Sequence, residues 1–185
     1  MAVIGINEIL RRVKEEKLIE NLSDRELKNP EGVGLDLRLE AVHKIVEGGA
    51  FIEADTAESL GKRKGVKTEI VAELGKNQEV TIEPEQYYLV RTVETLNVPM
   101  DLMPIVNGRG SLMKSGLFLF ATKTDPGYQG QLVFGLYNFS PFPVKFQLGA
   151  RFCNVVFHRI EGEVVSYRGQ HKGGRISIEK EETQV

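Results

Sequence analysis

Residues 116–138 read GLFLFATKTDPGYQGQLVFGLYN, two apolar runs on either side of an Asp-Pro-Gly bend. The runs GLFLFATKT and QLVFGLYNFS are short, rich in aromatic and aliphatic residues, and bounded by turn formers, which predicts strands rather than helices. Pro126-Gly127 favours a type II turn, in which proline presets φ at the first central position and glycine supplies the positive φ needed at the second. Asp125 and Tyr128 then lie close together on one side of a sharp bend. Taken alone, this is an ordinary Asp-Pro-Gly turn with Tyr128 packed on a rim. A strand normally needs no glycine, however, and Gly135 sits inside the second one.

The same texture extends outward. GVGLDLRLEAVHKIV (residues 32–46) alternates as a strand does, and Gly48-Gly49 breaks it. QEVTIEPEQYYLVRTVETLNVP supplies two strand-like runs parted at Glu83-Pro84, and FPVKFQLG and RFCNVVFHRI follow at short spacing. Repeated short strands with Gly/Pro turns predict an all-β barrel or sandwich. At the N-terminus, residues 6–22 place Ile9, Leu10, Val13, Leu18 and Ile19 near helical spacing among charges, predicting a short amphipathic helix, or two, that ends before Asn29-Pro30. Residues 53–68 are polar and read as an exposed excursion.

With 185 residues the chain reads as one domain, large enough to bury its own core. Apolar residues make up 41% and charged residues 27%, as in an ordinary globular protein. A formal net charge of −2 offers no general electrostatic case for nucleic acid. No apolar run approaches the roughly 20 residues that span a bilayer, and the N-terminus lacks a signal-peptide core. Cys153 is alone, so no intrachain disulfide or cysteine zinc site is expected. The expectation is a cytoplasmic protein, bound to neither nucleic acid nor membrane.

Two further segments carry chemistry. In NGRGSLMKSG (residues 107–116), glycines flank Arg109 and Ser111, and Lys114 follows. Backbone amides, a guanidinium, a hydroxyl and an ammonium converging in this way suit phosphate oxygens, although a plain surface turn would look the same. The Gly-Lys-Ser/Thr ending of a P-loop is absent. The tail from Tyr167 (YRGQHKGGRISIEKEETQV) sets Arg168, His171, Lys172 and Arg175 on a glycine-rich frame. It reads either as a frayed terminus or as a cover that orders over a polyanion. His43, His158 and His171 show no ligand spacing. The zinc signature of nucleobase deaminases is missing, as is a nucleophile elbow.

In order and in register, these pieces resemble the trimeric dUTPase and dCTP deaminase superfamily. GVGLDLRL (Gly34, Asp36, Arg38) is similar to its Asp-Leu-Arg motif. ETLNVPMDLMPIVNGRGSLMKSGL is similar to the deaminase pattern running into Gly-Arg-Ser-Ser-Leu. TDPGYQGQLVFGLYN and LGARFCN complete the series, so roughly residues 30–175 are covered. The resemblance implies a mainly β fold with a short N-terminal helix, a distorted β-barrel or β-clip of the dUTPase type. Residues 1–166 would form this single domain, and 167–185 a flexible tail able to cover the active site. It also implies a homotrimer with sites at subunit boundaries, a pyrimidine deoxynucleoside triphosphate as substrate, and Mg²⁺ held mainly through the substrate phosphates, with no metal site of the protein's own.

The family holds two chemistries, dUTP hydrolysis to dUMP and pyrophosphate, and zinc-free deamination of dCTP. In the deaminases a glutamate in the strand after the aspartate turn shuttles the proton. Gly135 occupies that register here, and glycine cannot move a proton. The resemblance therefore implies a dUTP diphosphatase. Asp125 would position or deprotonate the attacking water, and Tyr128 would pack on deoxyribose. Arg109, Ser111 and Lys114 would hold phosphates. Asn154 stands where the family has glutamine, and Gln170 and Arg175 would bind from the tail. Uracil would be read by backbone groups near Phe118–Thr124. Three departures complicate this reading: the small residues of Arg109-Gly110-Ser111-Leu112 are exchanged, no phenylalanine follows Phe157, and YRGQ resembles the deaminase tail. A dCTP deaminase, or a bifunctional one, that recruits a different acid is the alternative enzyme. Gly110 and Gly135 also fit a non-catalytic nucleotide-binding regulator.

Overall fold

A computed structural model describes residues 2–184. The N-terminal segment folds as α1 (Ile6–Glu16), which buries Ile9 and ends where Lys17 turns left-handed at φ 54°. A two-residue strand, β1 (Ile19–Glu20), and a short helix, α2 (Asp24–Lys28), follow. The helical pattern over 6–22 is thus interrupted. Leu18 and Ile19 are both buried, and the pairing of Ile19 with Leu96 commits this stretch to extended chain.

The remaining elements are β2 (Gly34–Glu47), β3 (Phe51–Ile52), β4 (Lys62–Lys64), β5 (Lys67–Glu73), β6 (Glu79–Ile82), β7 (Tyr87–Asn97), β8 (Leu102–Gly108), α3 (Gly110–Lys114), β9 (Leu117–Phe120), β10 (Gln129–Asn138), β11 (Val144–Gln147), β12 (Arg151–Arg159) and β13 (Glu182–Thr183). An antiparallel path β8-β12-β2-β7-β10-β9 forms the main sheet, with β5 on β2 and β1 on β7. Its ends approach each other. A bridge joins Ile105 to Lys123, and Thr124 N donates to Pro104 O at 3.1 Å. The sheet is therefore nearly a closed barrel, the fold expected from the sequence. Closure leaves few unpaired strand edges.

Strand β7 shows how the interior is built. Tyr88, Val90, Thr92, Glu94 and Leu96 point inward in strict alternation. Two of these are polar, and both are satisfied. Thr92 Oγ1 donates to Glu94 O at 2.8 Å and accepts from Leu132 N at 2.9 Å, where the β10–β7 register slips between Gln131 and Val133. The Glu94 carboxylate, fully buried, accepts from Arg38 N at 2.8 Å and Arg38 Nε at 2.7 Å. Burial pushes its pKa up, against the pull of Arg38. Arg38 of the Asp-Leu-Arg motif thus neutralises a core acid.

The polar 53–68 excursion follows β3 and contains β4, and these two strands pair with each other. The tail strand β13 adds to β4 to make a separate three-stranded sheet. Among the described residues, no helix is long and apolar enough to cross a membrane.

Candidate functional site

The Asp125–Tyr128 bend is the type II turn its sequence predicts. Gly127 has φ 80°, and Tyr128 N donates to Asp125 O at 3.2 Å. Two further backbone bonds fix it to the end of β7: Gly127 N to Val98 O at 2.8 Å and Val98 N to Tyr128 O at 2.9 Å. Asp125 is half-exposed and paired with Lys123. Tyr128 is buried, and its hydroxyl donates to Gln131 O at 2.5 Å, with His171 O next at 3.3 Å. Desolvation drives the phenol pKa up to about 12, so it stays protonated at any physiological pH. Further along β10, Asn138 is fully buried and serves structure. Its amide donates to Ile82 O and Phe142 O, both at 2.9 Å.

A cavity of about 470 Å³ opens beside the turn, within the range of small-molecule sites. Asp125, Tyr128, Gly135, Phe120, His171 and Arg175 are among its lining residues. Gly135 lies between Leu89 of β7 and Phe120 of β9. The ring of Tyr87 covers it so closely that a Cβ at position 135 would sit 2.8 Å from Cε2 and Cζ, and nearer still to the hydroxyl. No carboxylate could stand there with Tyr87 in place.

The tail crosses the same region. Tyr167 N donates to Pro126 O at 2.7 Å and Gly173 N to Gln129 O at 2.8 Å, while the Tyr167 ring meets Tyr128 edge-on at 5.4 Å. Gly130, at φ 146°, leaves room for the Gly173 backbone, which a Cβ there would meet at 2.6 Å. Arg175 forks onto Glu182 at 2.6 and 3.0 Å, and the Gln170 amide donates to Glu182 Oε2 and Thr183 O, both at 2.8 Å. The Arg175 guanidinium holds the Glu182 carboxyl below its usual range. Desolvation and nearby Arg63 lower the His171 pKa, favouring neutral imidazole.

The other expected residues lie elsewhere. Arg109, at the start of α3, places Nε 3.1 Å from Asp36 Oδ2, and Asn154 Nδ2 donates to Asp36 Oδ1 at 3.0 Å. Arg151 joins the same carboxylate at 3.0 Å. Asp36, Arg109 and Asn154 line a second pocket of about 150 Å³. Ser111 and Lys114 are exposed on α3. Within one chain, then, Asp125, Tyr128 and Arg175 share the 470 Å³ cavity, Gln170 is tied down beside it, and Arg109, Ser111, Lys114 and Asn154 are outside it. Sequence reasoning missed Lys123 and Tyr87. Lys123 stood two residues before Asp125 and was readable there, whereas Tyr87 reaches Gly135 from a distant strand.

Among the described residues, no group of three or more His, Cys, Asp or Glu side chains could hold a metal.

The dCTP deaminase-like family matches residues 3–160. A dCTP deaminase of Pyrococcus furiosus is 30% identical over 171 residues, 91% of this chain and 94% of the relative. One from Thermococcus kodakarensis is 33% identical over 89% and 90% of the two chains. A relative from Dictyoglomus turgidum, named as a dUMP-forming dCTP deaminase, is 30% identical over 85% of this chain and 80% of its own. The crystal structure of the Agrobacterium tumefaciens dCTP deaminase superposes with a TM-score of 0.62 at 19% identity, covering 86% of this chain and 48% of that one, a likeness of fold. These relatives overturn the expectation of a dUTP diphosphatase, which weighed one position, Gly135, above the rest of the chain. The similarity that runs along nearly its whole length is to deaminases, and the chain belongs to the dCTP deaminase-like family.

Proposed function

We propose that the protein is a zinc-free deaminase of dCTP that assembles as a homotrimer. The observation that carries this reading is the match to dCTP deaminases over about nine-tenths of both chains. In the reaction, water adds at C4 of cytosine and the amino group leaves as ammonia, giving dUTP. Asp125, fixed by its turn, accepts from the sugar 3′-hydroxyl. The Tyr128 ring, held by its hydroxyl's bond to Gln131 O, packs on deoxyribose and leaves no room for a 2′-hydroxyl. Arg109, Ser111 and Lys114 of a neighbouring copy reach the phosphates, which is why a single chain separates them from the cavity. Mg²⁺ arrives with the triphosphate. The carboxylates of Asp125, in the cavity, and Asp36, in the second pocket, are already paired, with Lys123 and with Arg109 and Arg151. With no carboxylate at Gly135, the proton leaving the attacking water passes to the neutral His171, which lines the cavity.

A second reading has one specific observation behind it. Tyr87 fills the place of the missing carboxylate, which suits a protein that binds the nucleotide without turning it over. Incubating the full chain with dCTP and Mg²⁺ separates the two readings when ammonia release and calorimetric binding are followed together. Ammonia that disappears in Asp125→Asn is the expected result. Binding without ammonia selects the second reading, and absence of dCTP binding refutes both.

A further inference from the structure

The pairing of Gly135 with Tyr87 is a structural exchange across two strands. Gly135 pairs directly with Leu89, while Tyr87 pairs with Tyr137. Tyr87 therefore reaches Gly135 diagonally on one face of the sheet, a separation that aromatic side chains span. An aromatic ring over a strand glycine restores the packing that glycine lacks, and for that purpose phenylalanine would serve equally well. Tyr87 is nevertheless a tyrosine. Its hydroxyl lies closest to where a side chain at 135 would begin, and the phenol's pKa is raised by desolvation alone, with no hydrogen bond among the causes. Its neighbours Leu89, Phe120 and Gly135 all line the cavity. The Phe120 ring, 6.1 Å from Tyr87, flanks it on the other side. Tyr87 stands at the edge of that cavity and is 38% exposed, so its hydroxyl, which bonds no protein group among the described residues, meets water and can exchange that water for a ligand.

We propose that Tyr87 contacts the ligand, its hydroxyl taking the place of the side chain that Gly135 lacks and hydrogen-bonding the polar edge of the pyrimidine base. A neutral phenol both donates and accepts, so it can accept from the cytosine amino group or donate to a carbonyl at the same ring position. Tyr87 thereby positions the base, and Gly135 exists to admit it. This inference rests on the proposed nucleotide site.

The test is equilibrium binding to the full chain in Mg²⁺ by calorimetry, with dCTP, dUTP, dTTP and inorganic tripolyphosphate as probes. Tyr87→Phe keeps the ring and removes only the hydroxyl. It is expected to weaken binding of the preferred nucleotide about five- to tenfold, as loss of one hydrogen bond does, and to leave tripolyphosphate binding unchanged. Gly135→Ala should displace the ring and weaken the nucleotide similarly, and adding Tyr87→Phe to it should then change little. Nucleotide affinity unaltered by Tyr87→Phe, an equal loss for tripolyphosphate, or additive effects of the two substitutions would each overturn the proposal. If the wild type prefers dUTP or dTTP, the dCTP reading fails, and the response of that nucleotide to Tyr87→Phe still decides the role of Tyr87. Binding of none overturns both.

Discussion

Replacing Gly130 with alanine tests how the tail is held over the cavity. The new Cβ would lie 2.6 Å from Cα and N of Gly173 and 2.7 Å from its carbonyl carbon. These are backbone atoms with no flexible end to swing aside, so about 1 Å must be yielded to reach ordinary contact. Gly130 is paired with Leu96 inside the main sheet, and the tail is the softer side. The displaced segment loses the Gly173 N to Gln129 O bond and the weaker approach of Tyr128 Oη to His171 O. Two hydrogen bonds at about 1 kcal/mol each total about 2 kcal/mol, or roughly a 30-fold larger open population. The φ of 146° adds strain for alanine of about 1–3 kcal/mol, which lowers global stability instead. Hydrogen exchange distinguishes the two effects. Amides of residues 167–184 should exchange roughly 30-fold faster, beyond any change shared with the core amides of β2, β7 and β12. Tail amides that merely track the core would refute the account of docking through Gly130.

Three other outcomes are expected. Arg38→Met strands the buried Glu94 carboxylate and should cost about 3–5 kcal/mol near neutral pH, lowering Tm by roughly 6–20 °C. The folded Glu94 pKa lies above its unfolded value, so its charge opposes folding as pH rises past that value. The loss should therefore shrink toward pH 4, and melts showing equal losses at pH 4 and 7.5 would contradict this. Glu182→Gln removes a partly exposed ion pair with Arg175 and should change global stability by less than about 1 kcal/mol while speeding tail exchange severalfold. Unchanged tail exchange would show that the pair contributes nothing to docking. Cys153 is fully buried with its thiol pKa pushed well up, so a thiol reagent should label it only after denaturation. Rapid labelling of the native protein would refute that burial.

What the sequence disclosed follows from how local each feature is. β7, β9, β10 and β12 were legible because alternating or apolar runs between turn formers express burial along the strand itself. The bend at Asp125 was legible because Pro-Gly sets its own backbone angles. Strand β5 was not, since most of KTEIVAE is not buried and its partner is 26 residues or so upstream in β2. Strand β1 was hidden because Leu18 and Ile19 also satisfy a helical spacing, and only Leu96 decides between the two. In the site, Asp125 and Tyr128 share one turn and could be read together. Arg109 and Asn154 could be named but not placed, because they meet at Asp36, more than 70 residues earlier in the chain. Gly135 was noticed as a gap, but what fills it comes from Tyr87, 48 residues away, and no local pattern carries that pairing.

The strand that joins the tail to the 51–64 hairpin alters the kinetics of the cavity's cover. The tail is moored at both ends, against Pro126 through Tyr167 and against Lys62 and Arg63 through β13, with the Gly173 N to Gln129 O bond between them. If one mooring lets go, the other keeps the freed stretch within reach, at an effective concentration of roughly millimolar for so short a tether. Reclosure is then intramolecular and independent of protein concentration. The hairpin, remote from the turn in sequence, therefore helps set how long the tail stays closed over the cavity.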